Sequence, residues 1–211
     1  MLTTPNAVGC VLKAIIFDID GVLADSRDAV VQNTRELLAE YGFAAEDGRI
    51  EAMSSAHSAE TVLISLVPSL GGDGALLREM LSRLSGITAK NLHLVKPSCL
   101  AHELPELSKK YLLAAASNRK ASAKMVLEKL GVAGYFRAIV TSADARPKPD
   151  PEMITLAIGK LGVSPSEAVF AGDNNEDKIA GVEAGVKTFL IDGMDEAACE
   201  KFLQEIGFRQ K

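Results

Sequence analysis

Short apolar segments alternate with stretches of helical periodicity along most of the chain. This alternation is typical of a parallel sheet covered by helices. Ligands bind at the carboxyl ends of the strands in such folds, so the residues after each strand are the first candidates for a functional site. Five segments are predicted as strands, each followed by polar residues or glycine: Val11–Ile19, Tyr111–Ala116, Arg137–Thr141, Ala168–Ala171 and Lys187–Ile191.

Three helices are predicted between the later strands, and each is followed by a glycine that suits the left-handed position closing a helix. They are Lys120–Leu130 before Gly131, Glu152–Leu161 before Gly162, and Asp177–Ala184 before Gly185. The spacing of Ser164, Pro165 and Glu167 matches a capping box with proline at the first helical position. A short turn is therefore expected before the fourth strand.

One long block interrupts the alternation, because only helical patterns are found from Arg27 to Val95. One predicted helix carries Val30, Leu37 and Tyr41 on a single face. A second spans Leu76 to Leu84 with Asp73 as N-cap and Gly86 beyond its end, and a third, Ala59–Val67, stops at Pro68. The predicted fold class is α/β: a Rossmann-like core of residues 1–26 and 96–211, with a parallel sheet of five or more strands, and an inserted helical cap of residues 27–95.

Composition narrows the class of protein. The 211 residues are 47% hydrophobic and 24% charged, which is normal for a globular chain of one large domain or one domain with an insertion. The net charge is −5 and no Lys/Arg stripe is present, so no nucleic-acid partner is expected. The apolar runs are far shorter than the roughly 20 residues of a membrane helix, so no membrane partner is expected either.

The N-terminal residues and the cysteines favour a cytoplasmic location. No basic segment followed by an apolar stretch is visible at the N-terminus. Cys10, Cys99 and Cys199 are odd in number and widely spaced, which argues against a disulfide framework or a zinc site. They are interpreted as small buried or half-buried apolar residues.

The most informative segment runs from Phe17 to Ser26 and contains two carboxylates, Asp18 and Asp20, followed directly by Gly21. A buried strand rarely ends in acids, since an unpaired buried carboxylate is costly to desolvate. A divalent cation offsets that cost, and Mg²⁺ prefers one or two carboxylates plus water and phosphate oxygens. On its own, this segment is equally compatible with a turn carrying solvated acids.

Three further segments follow predicted strands. Asp173 and Asp177 flank the start of a helix, where they could equally be a cap and a dipole-favoured acid. Ser117 and Asn118 open another helix, whose free N–H groups suit a phosphate or a simple N-cap. Lys148 stands between two prolines, an unusually stiff loop for a solvated lysine.

Taken together and in this order, the four segments resemble the haloacid dehalogenase superfamily, specifically its phosphoglycolate phosphatase and β-phosphoglucomutase-like branch. The resemblance extends from Val11 to Leu190 and includes the Leu127–Phe136 segment, Leu161 to Val163, and Ala184-Gly185. It implies a magnesium-dependent hydrolase: a phosphatase that acts on a small phosphorylated metabolite through an aspartyl-phosphate.

The resemblance also implies a role for each matching residue. Asp18 corresponds to the nucleophile and Asp20 to the general acid and base. Lys148 corresponds to the lysine that neutralises charge on the nucleophile and the phosphoryl group. Ser117 and the Asn118 N–H correspond to the phosphate-binding groups. Asp18, the backbone carbonyl of Asp20 and Asp173 correspond to Mg²⁺ ligands, with Asp177 holding a metal-bound water or the lysine.

Two other functions stay open. A phosphoglucomutase-like isomerase would return the phosphoryl group to its substrate and release no stoichiometric phosphate. A non-catalytic binding module is disfavoured, because no inactivating substitution is visible. Asp20 and Gly21 argue against carbon–halogen chemistry, and Lys90 as the only lysine of the cap argues against a phosphonate-cleaving enzyme.

The cap residues that would select the leaving group are the least determined. By resemblance, the segment from Met53 to Ser58 matches the loop that enters the active site, so Ser55 and His57 are candidate substrate contacts, although a histidine before a helix is more often an exposed neighbour of the cap. Arg49 is a weaker candidate for an anionic group. The sequence does not reveal the physiological substrate or the oligomeric state.

Overall fold

The computed structural model describes residues 11–54 and 58–209. Five strands form one sheet: β1 (Ala14–Phe17), β4 (Leu112–Ser117), β5 (Ala138–Thr141), β6 (Ala168–Gly172) and β7 (Lys187–Leu190). All are parallel, and they lie in the order β5-β4-β1-β6-β7. The predicted α/β fold with a five-stranded parallel sheet is therefore confirmed.

Helices cover both faces of this sheet because its strand residues alternate between two hydrophobic clusters. The helices of this part of the chain are α5 (Cys99–Lys110), α6 (Ser122–Lys129), α7 (Glu152–Leu161), α8 (Asn175–Glu183) and α9 (Glu196–Glu205). Ile15 and Phe17 of β1 pack toward one face, with α5, α6 and α9, while Ala14 and Ile16 pack toward the other, with α7 and α8.

The predicted helix punctuation is largely present. Gly131, Gly162 and Gly185 all have positive φ after α6, α7 and α8. The capping box of Ser164 and Glu167 closes a short 3-10 turn, Pro165–Glu167, before β6. Sequence periodicity therefore located these helix ends within two residues.

Between residues 27 and 94, the described positions form helices and short 3-10 turns joined by loops, without a strand. The helices are α1 (Arg27–Glu40), α2 (Asp47–Ser54), α3 (Ala59–Leu66) and α4 (Gly74–Lys90). They share a third hydrophobic cluster, whose fully buried members include Leu37, Ile50 and Met80. Asp73 caps α4 as expected, but α4 continues through Gly86 to Lys90, so the predicted end at Gly86 is wrong.

Two very short strands join the helical block to the sheet. β2 (Ala24–Asp25) and β3 (Lys96–Pro97) pair antiparallel, with Asp25 opposite Lys96. The backbone N–H of Ser98 donates to the Leu23 carbonyl at 3.0 Å, and its hydroxyl donates to the Val22 carbonyl at 2.6 Å. Both passages of the chain between the sheet and helices α1–α4 are thus held side by side.

The remaining sequence expectations concern cysteine and membrane spans. Cys99 is half-buried and Cys199 is buried, and both are free thiols, while Cys10 lies outside the described residues. As far as residues 11–54 and 58–209 go, every helix is too short or too polar to span a bilayer.

Candidate active site

Asp18 lies at the carboxyl edge of the sheet, immediately after β1. The registers pair Phe17 with Ala115 of β4 and with Ala171 of β6, so all three strands end at this edge. The N–H of Asp18 still donates to the Ala171 carbonyl at 2.8 Å, which fixes the turn, and the residue is 5% exposed. The predicted strand reached Ile19, but the structure ends β1 at Phe17.

Lys148 reaches Asp18 from the loop between β5 and α7. Its ammonium nitrogen lies 2.6 Å from Asp18 Oδ1 and 2.6 Å from Asp177 Oδ1, and it donates to the Ala116 carbonyl at 3.1 Å. Burial disfavours the charged ammonium, but the Asp18 and Asp177 carboxylates outweigh burial and raise the pKa of Lys148. We call Asp18, Lys148 and Asp177 the inner cluster.

The backbone of Lys148 is fixed by the side chain of Asn118. The Lys148 N–H donates to Asn118 Oδ1 at 2.8 Å, and Asn118 Nδ2 donates to the Lys148 carbonyl at 3.0 Å. Ser117 precedes Asn118 at the end of β4, is 1% exposed, and accepts from the Arg119 N–H through its hydroxyl at 3.2 Å. The Ser-Asn segment therefore orders the lysine loop as well as ending a strand.

Asp173 and Asp177 enter the site from the turn between β6 and α8. Asn174 is the N-cap of α8 and accepts from the Asp177 N–H at 3.1 Å, while Asp177 Oδ2 accepts from the Asp173 N–H at 3.0 Å. Asn174 Nδ2 also donates to Asp173 Oδ1 at 3.0 Å. This reciprocal capping aims Asp177 into the protein, where it is fully buried, and leaves Asp173 exposed.

Two glycines permit this close approach. A Cβ on Gly21 would lie 1.9 Å from Asp173 Oδ2, and Gly21 also has φ +76°, which disfavours any side chain. A Cβ on Gly172 would lie 2.3 Å from the Asp177 Cβ. The glycine in each acidic motif is therefore needed for packing of the neighbouring carboxylate.

The carboxylates outnumber the cation around the inner cluster. Oxygens of Asp18, Asp173 and Asp177 lie within 4.8 Å of one another, with Lys148 as their common cationic neighbour. Burial, with Asp177 and Asp20 adding to it against the opposing effect of Lys148, raises the pKa of Asp18 to about 7. Desolvation and Asp177 raise the pKa of Asp173 to about 6. This arrangement suits a divalent cation, which would offset the excess negative charge.

Asp20 forms a separate ion pair with Arg119, a residue that the sequence analysis did not single out. Arg119 Nε lies 2.6 Å from Asp20 Oδ2, and Arg119 Nη2 lies 2.7 Å from Asp20 Oδ1, which also accepts from the Ser26 hydroxyl. Burial opposes ionisation, but Arg119 and Ser26 outweigh it and lower the pKa of Asp20. We call Asp20 and Arg119 the outer pair. Only the position of Arg119 directly after Ser117-Asn118 could have indicated it.

A model of one protein family covers most of the chain, including every element of this site. The haloacid dehalogenase-like hydrolase model matches residues 15–191. The chain belongs to the haloacid dehalogenase-like hydrolase family. The family resemblance noted in the sequence is thereby confirmed, and the protein is a hydrolase of this family.

Curated relatives in this family resemble the chain over most of their length. The chain is 32% identical over 187 residues to the pyrophosphatase PpaX of Bacillus velezensis, an alignment that covers 84% of this chain and 82% of that protein. It is 30% identical over 196 residues to a phosphoglycolate phosphatase of Aquifex aeolicus, covering 85% and 84%. It is also 30% identical to the N-acetylmuramic acid 6-phosphate phosphatase of Pseudomonas aeruginosa, covering 85% and 81%.

Solved structures support the fold. A putative phosphoglycolate phosphatase from Lactobacillus plantarum has a TM-score of 0.75 at 22% identity and covers 90% of this chain and 91% of its own. A putative β-phosphoglucomutase from Thermotoga maritima has a TM-score of 0.69 at 24% identity, covering 90% and 91%. Because each alignment covers 90% of this chain, it must include most of residues 27–94 as well as the sheet.

The cap residues predicted for this hydrolase are not all part of the described structure. Ser55 and His57 lie outside the described residues. Arg49 is on α2, where its Nη2 donates to the Ser65 carbonyl at 2.9 Å. Its proposed contact with an anionic substrate therefore stays a prediction, as do those of Ser55 and His57.

Proposed function

We propose that this hydrolase is a magnesium-dependent phosphatase that cleaves a small phosphomonoester through an aspartyl-phosphate on Asp18. The observation that carries the proposal is the buried Asp18 carboxylate, held 2.6 Å from the Lys148 ammonium at the open edge of the sheet. The names of the curated relatives support it, since they include phosphatases of phosphoglycolate and of a phosphorylated sugar acid. Related substrates are therefore the first to test.

The metal would be held by Asp18, Asp173 and the backbone carbonyl of Asp20, with Asp177 holding a metal-bound water or Lys148. The fit is supported by three carboxylates whose oxygens lie within 4.8 Å of one another and by the raised pKa values of Asp18 and Asp173. When bound, Mg²⁺ would neutralise carboxylate and phosphoryl charge and orient the phosphoryl oxygens.

Asp18 and Lys148 of the inner cluster and Asp20 of the outer pair would perform the first step. Asp20 is ionised in this structure because its pKa is lowered, so it must take up a proton before the step. The Asp18 carboxylate then attacks phosphorus, the bond from phosphorus to the ester oxygen breaks, and Asp20 gives its proton to the departing alkoxide. Lys148 lowers the repulsion between the anionic nucleophile and the anionic substrate. The Ser117 hydroxyl and the Asn118 N–H would bind the phosphoryl oxygens.

The second step would regenerate the enzyme. Asp20, now a carboxylate, takes a proton from water, whose oxygen attacks phosphorus and breaks the bond to Asp18. Inorganic phosphate leaves, and Asp18 and Asp20 return to their starting states. Splitting the reaction in this way lets one carboxyl group act first as acid and then as base.

We also propose that residues 27–95 act as a cap that selects the leaving group, joined to a core of residues 1–26 and 96–211. The support is the separate hydrophobic cluster of helices α1–α4 and their attachment through β2 and β3. Arg49, Ser55 and His57 are the proposed substrate contacts of this cap. The cytoplasmic location stays a prediction.

The test is a screen of phosphorylated metabolites with released phosphate as the readout, run with Mg²⁺ and with an excess of chelator. We expect magnesium-dependent release of one phosphate per substrate consumed. A mutase would consume substrate without stoichiometric phosphate. Full turnover after exhaustive chelation would contradict the metal assignment.

A further inference from the structure

Arg119 occupies a fixed place beside the site and has no role in the reaction described above. Its side chain is 15% exposed, and its guanidinium is bidentate to Asp20 through Nε and Nη2. Nη1 reaches the Ser122 hydroxyl at 3.4 Å. The cation is thus directed at the carboxylate that acts on the leaving group in the proposed function, on which this inference rests.

Both oxygens of Asp20 are occupied in this arrangement. Oδ2 accepts from Arg119 Nε, and Oδ1 accepts from Arg119 Nη2 and from the Ser26 hydroxyl. Asp20 therefore cannot contact a leaving group freely until Arg119 finds another partner. Leaving the mostly buried Arg119 guanidinium without an ion-pair partner would cost free energy. Separation of Arg119 from Asp20 is therefore favoured only when another anion takes the place of the Asp20 carboxylate.

The outer pair is more open to solvent than the inner cluster, and in the proposed function Asp20 contacts the leaving group. The Asp20 side chain is 37% exposed, whereas those of Asp18 and Lys148 are 7% and 3% exposed. If Asp20 protonates the ester oxygen as proposed, a group within a few bonds of that oxygen comes within reach of the guanidinium, because the guanidinium already contacts Asp20. The planar guanidinium fork binds carboxylate and phosphate groups in the same bidentate way as it binds Asp20.

We propose that Arg119 is a specificity-determining residue that binds a second anionic group on the leaving group and releases Asp20 in exchange. The substrates favoured by this exchange are phosphate compounds that carry a carboxylate or a second phosphate close to the cleaved bond. A leaving group without such an anion leaves the ion pair between Arg119 and Asp20 intact. Selection therefore acts on turnover as well as on binding.

The experiment compares three substrates that differ in the second group: phosphoglycolate carries a carboxylate, pyrophosphate carries a phosphate, and ethyl phosphate carries neither. For the unaltered protein we expect a higher kcat/KM for at least one anionic substrate than for ethyl phosphate. Arg119→Ala should reduce that ratio by about 10- to 100-fold, the usual worth of a charged bidentate contact. Arg119→Lys should restore it only in part, because an ammonium lacks the planar fork. The anionic substrate whose kcat/KM, relative to that of ethyl phosphate, falls in Arg119→Ala shows which anionic group Arg119 binds.

Arg83→Ala is the matched control. Arg83 makes the same Nε and Nη2 bidentate pair, with Glu40 in the cap at 2.7 and 2.9 Å, and should leave the substrate ratio unchanged. The inference is overturned if the unaltered protein does not favour either anionic substrate, or if Arg119→Ala lowers all three rates equally. Absence of hydrolysis of any phosphate ester, p-nitrophenyl phosphate included, would instead overturn the proposed function.

Discussion

The inner cluster and the outer pair contain acids only two residues apart, yet their surroundings affect those acids in opposite directions. Asp18 is buried among carboxylates that share Lys148, and its pKa rises to about 7. Asp20 is matched by a bidentate arginine, and its pKa falls although its partial burial opposes ionisation. This difference shows that the local balance of charge, rather than position on the loop, decides whether the pKa of each carboxyl group rises or falls.

The sharpest test of this contrast neutralises each acid in turn. Both Asp18→Asn and Asp20→Asn should lose activity, the former by about 10³-fold or more because the proposed nucleophile is gone. Their effects on folding should differ in sign near pH 8 without metal. A carboxyl with a raised pKa loses its stabilising neutral form as pH rises toward 7, so Asp18→Asn should increase the free energy of unfolding. A carboxyl with a lowered pKa stabilises the fold above its unfolded pKa, so Asp20→Asn should decrease it.

Urea unfolding with phosphate release as the paired assay measures both effects. Asp28→Asn is the matched control, since Asp28 is an exposed acid paired with Lys96 at 2.8 Å. It should change neither activity nor stability appreciably. Equal changes in the free energy of unfolding for Asp18→Asn and Asp20→Asn would contradict the opposite electrostatic effects inferred for the inner cluster and the outer pair.

The packing of the inner acids can be disturbed without removing a charge. Gly21→Ala places a Cβ 1.9 Å from Asp173 Oδ2, so Asp173 must move and activity should fall by about 10²-fold, comparable with the loss of one aligned catalytic contact. Gly42→Ala is a matched control because Gly42 has the same φ of +76° with open space around it. Both variants share the backbone strain, so only the excess loss in Gly21→Ala reports the contact. Similar activities for the two variants would contradict this account.

A smaller effect is expected from the amide that positions Lys148. Asn118→Ala removes both side-chain hydrogen bonds to the Lys148 backbone, and we expect kcat to fall by about tenfold while KM changes less. Steady-state kinetics on one phosphomonoester measures this separation. Ser142→Ala, which removes only a hydroxyl bonded to the Asn118 carbonyl at 2.9 Å, is the milder comparison. A loss confined to KM would reassign Asn118 to substrate binding alone.

The smallest expected effect is the pH dependence of stabilisation by Mg²⁺. With pKa values of about 7 for Asp18 and about 6 for Asp173, protons compete with the metal at pH 5 and not at pH 8. Saturating Mg²⁺ should therefore raise Tm by several degrees more at pH 8 than at pH 5. Differential scanning calorimetry with and without chelator measures the difference. An equal increase in Tm at both pH values would contradict the assignment of Asp18 and Asp173 as metal ligands.

The sheet could be predicted from sequence far better than the helical block. Four of the five strands of the sheet are short apolar runs with polar residues after them, while β7 begins with Lys187 and Thr188. The helix α7 lies where the pattern placed it. The helix α2 was not predicted, because its eight residues include Gly48 and carry little apolar periodicity. Gly86 was mistaken for a helix end because only packing against neighbouring helices keeps α4 regular through that position.

The candidate site was also predictable from the sequence only in part. Asp18, Lys148 and Asp177 could be predicted to lie near one another, since each follows a strand of one parallel sheet. The partnership of Arg119 with Asp20 depends on the path of the turn after β4, which no periodicity encodes. The clamp of Asn118 on the Lys148 backbone likewise joins two loops 30 residues apart.

The pairing of Asp25 with Lys96 bears on whether the helical block could be removed or replaced. Because the chain leaves β2 and returns on β3 across a single antiparallel pair, a two-residue hairpin turn could join these positions directly. Everything between them is, in topological terms, a removable module. A shortened protein closed by such a turn would retain every acid of the inner cluster. If the helical block selects the leaving group as proposed, a foreign helical block grafted at the same point would change the choice of substrate.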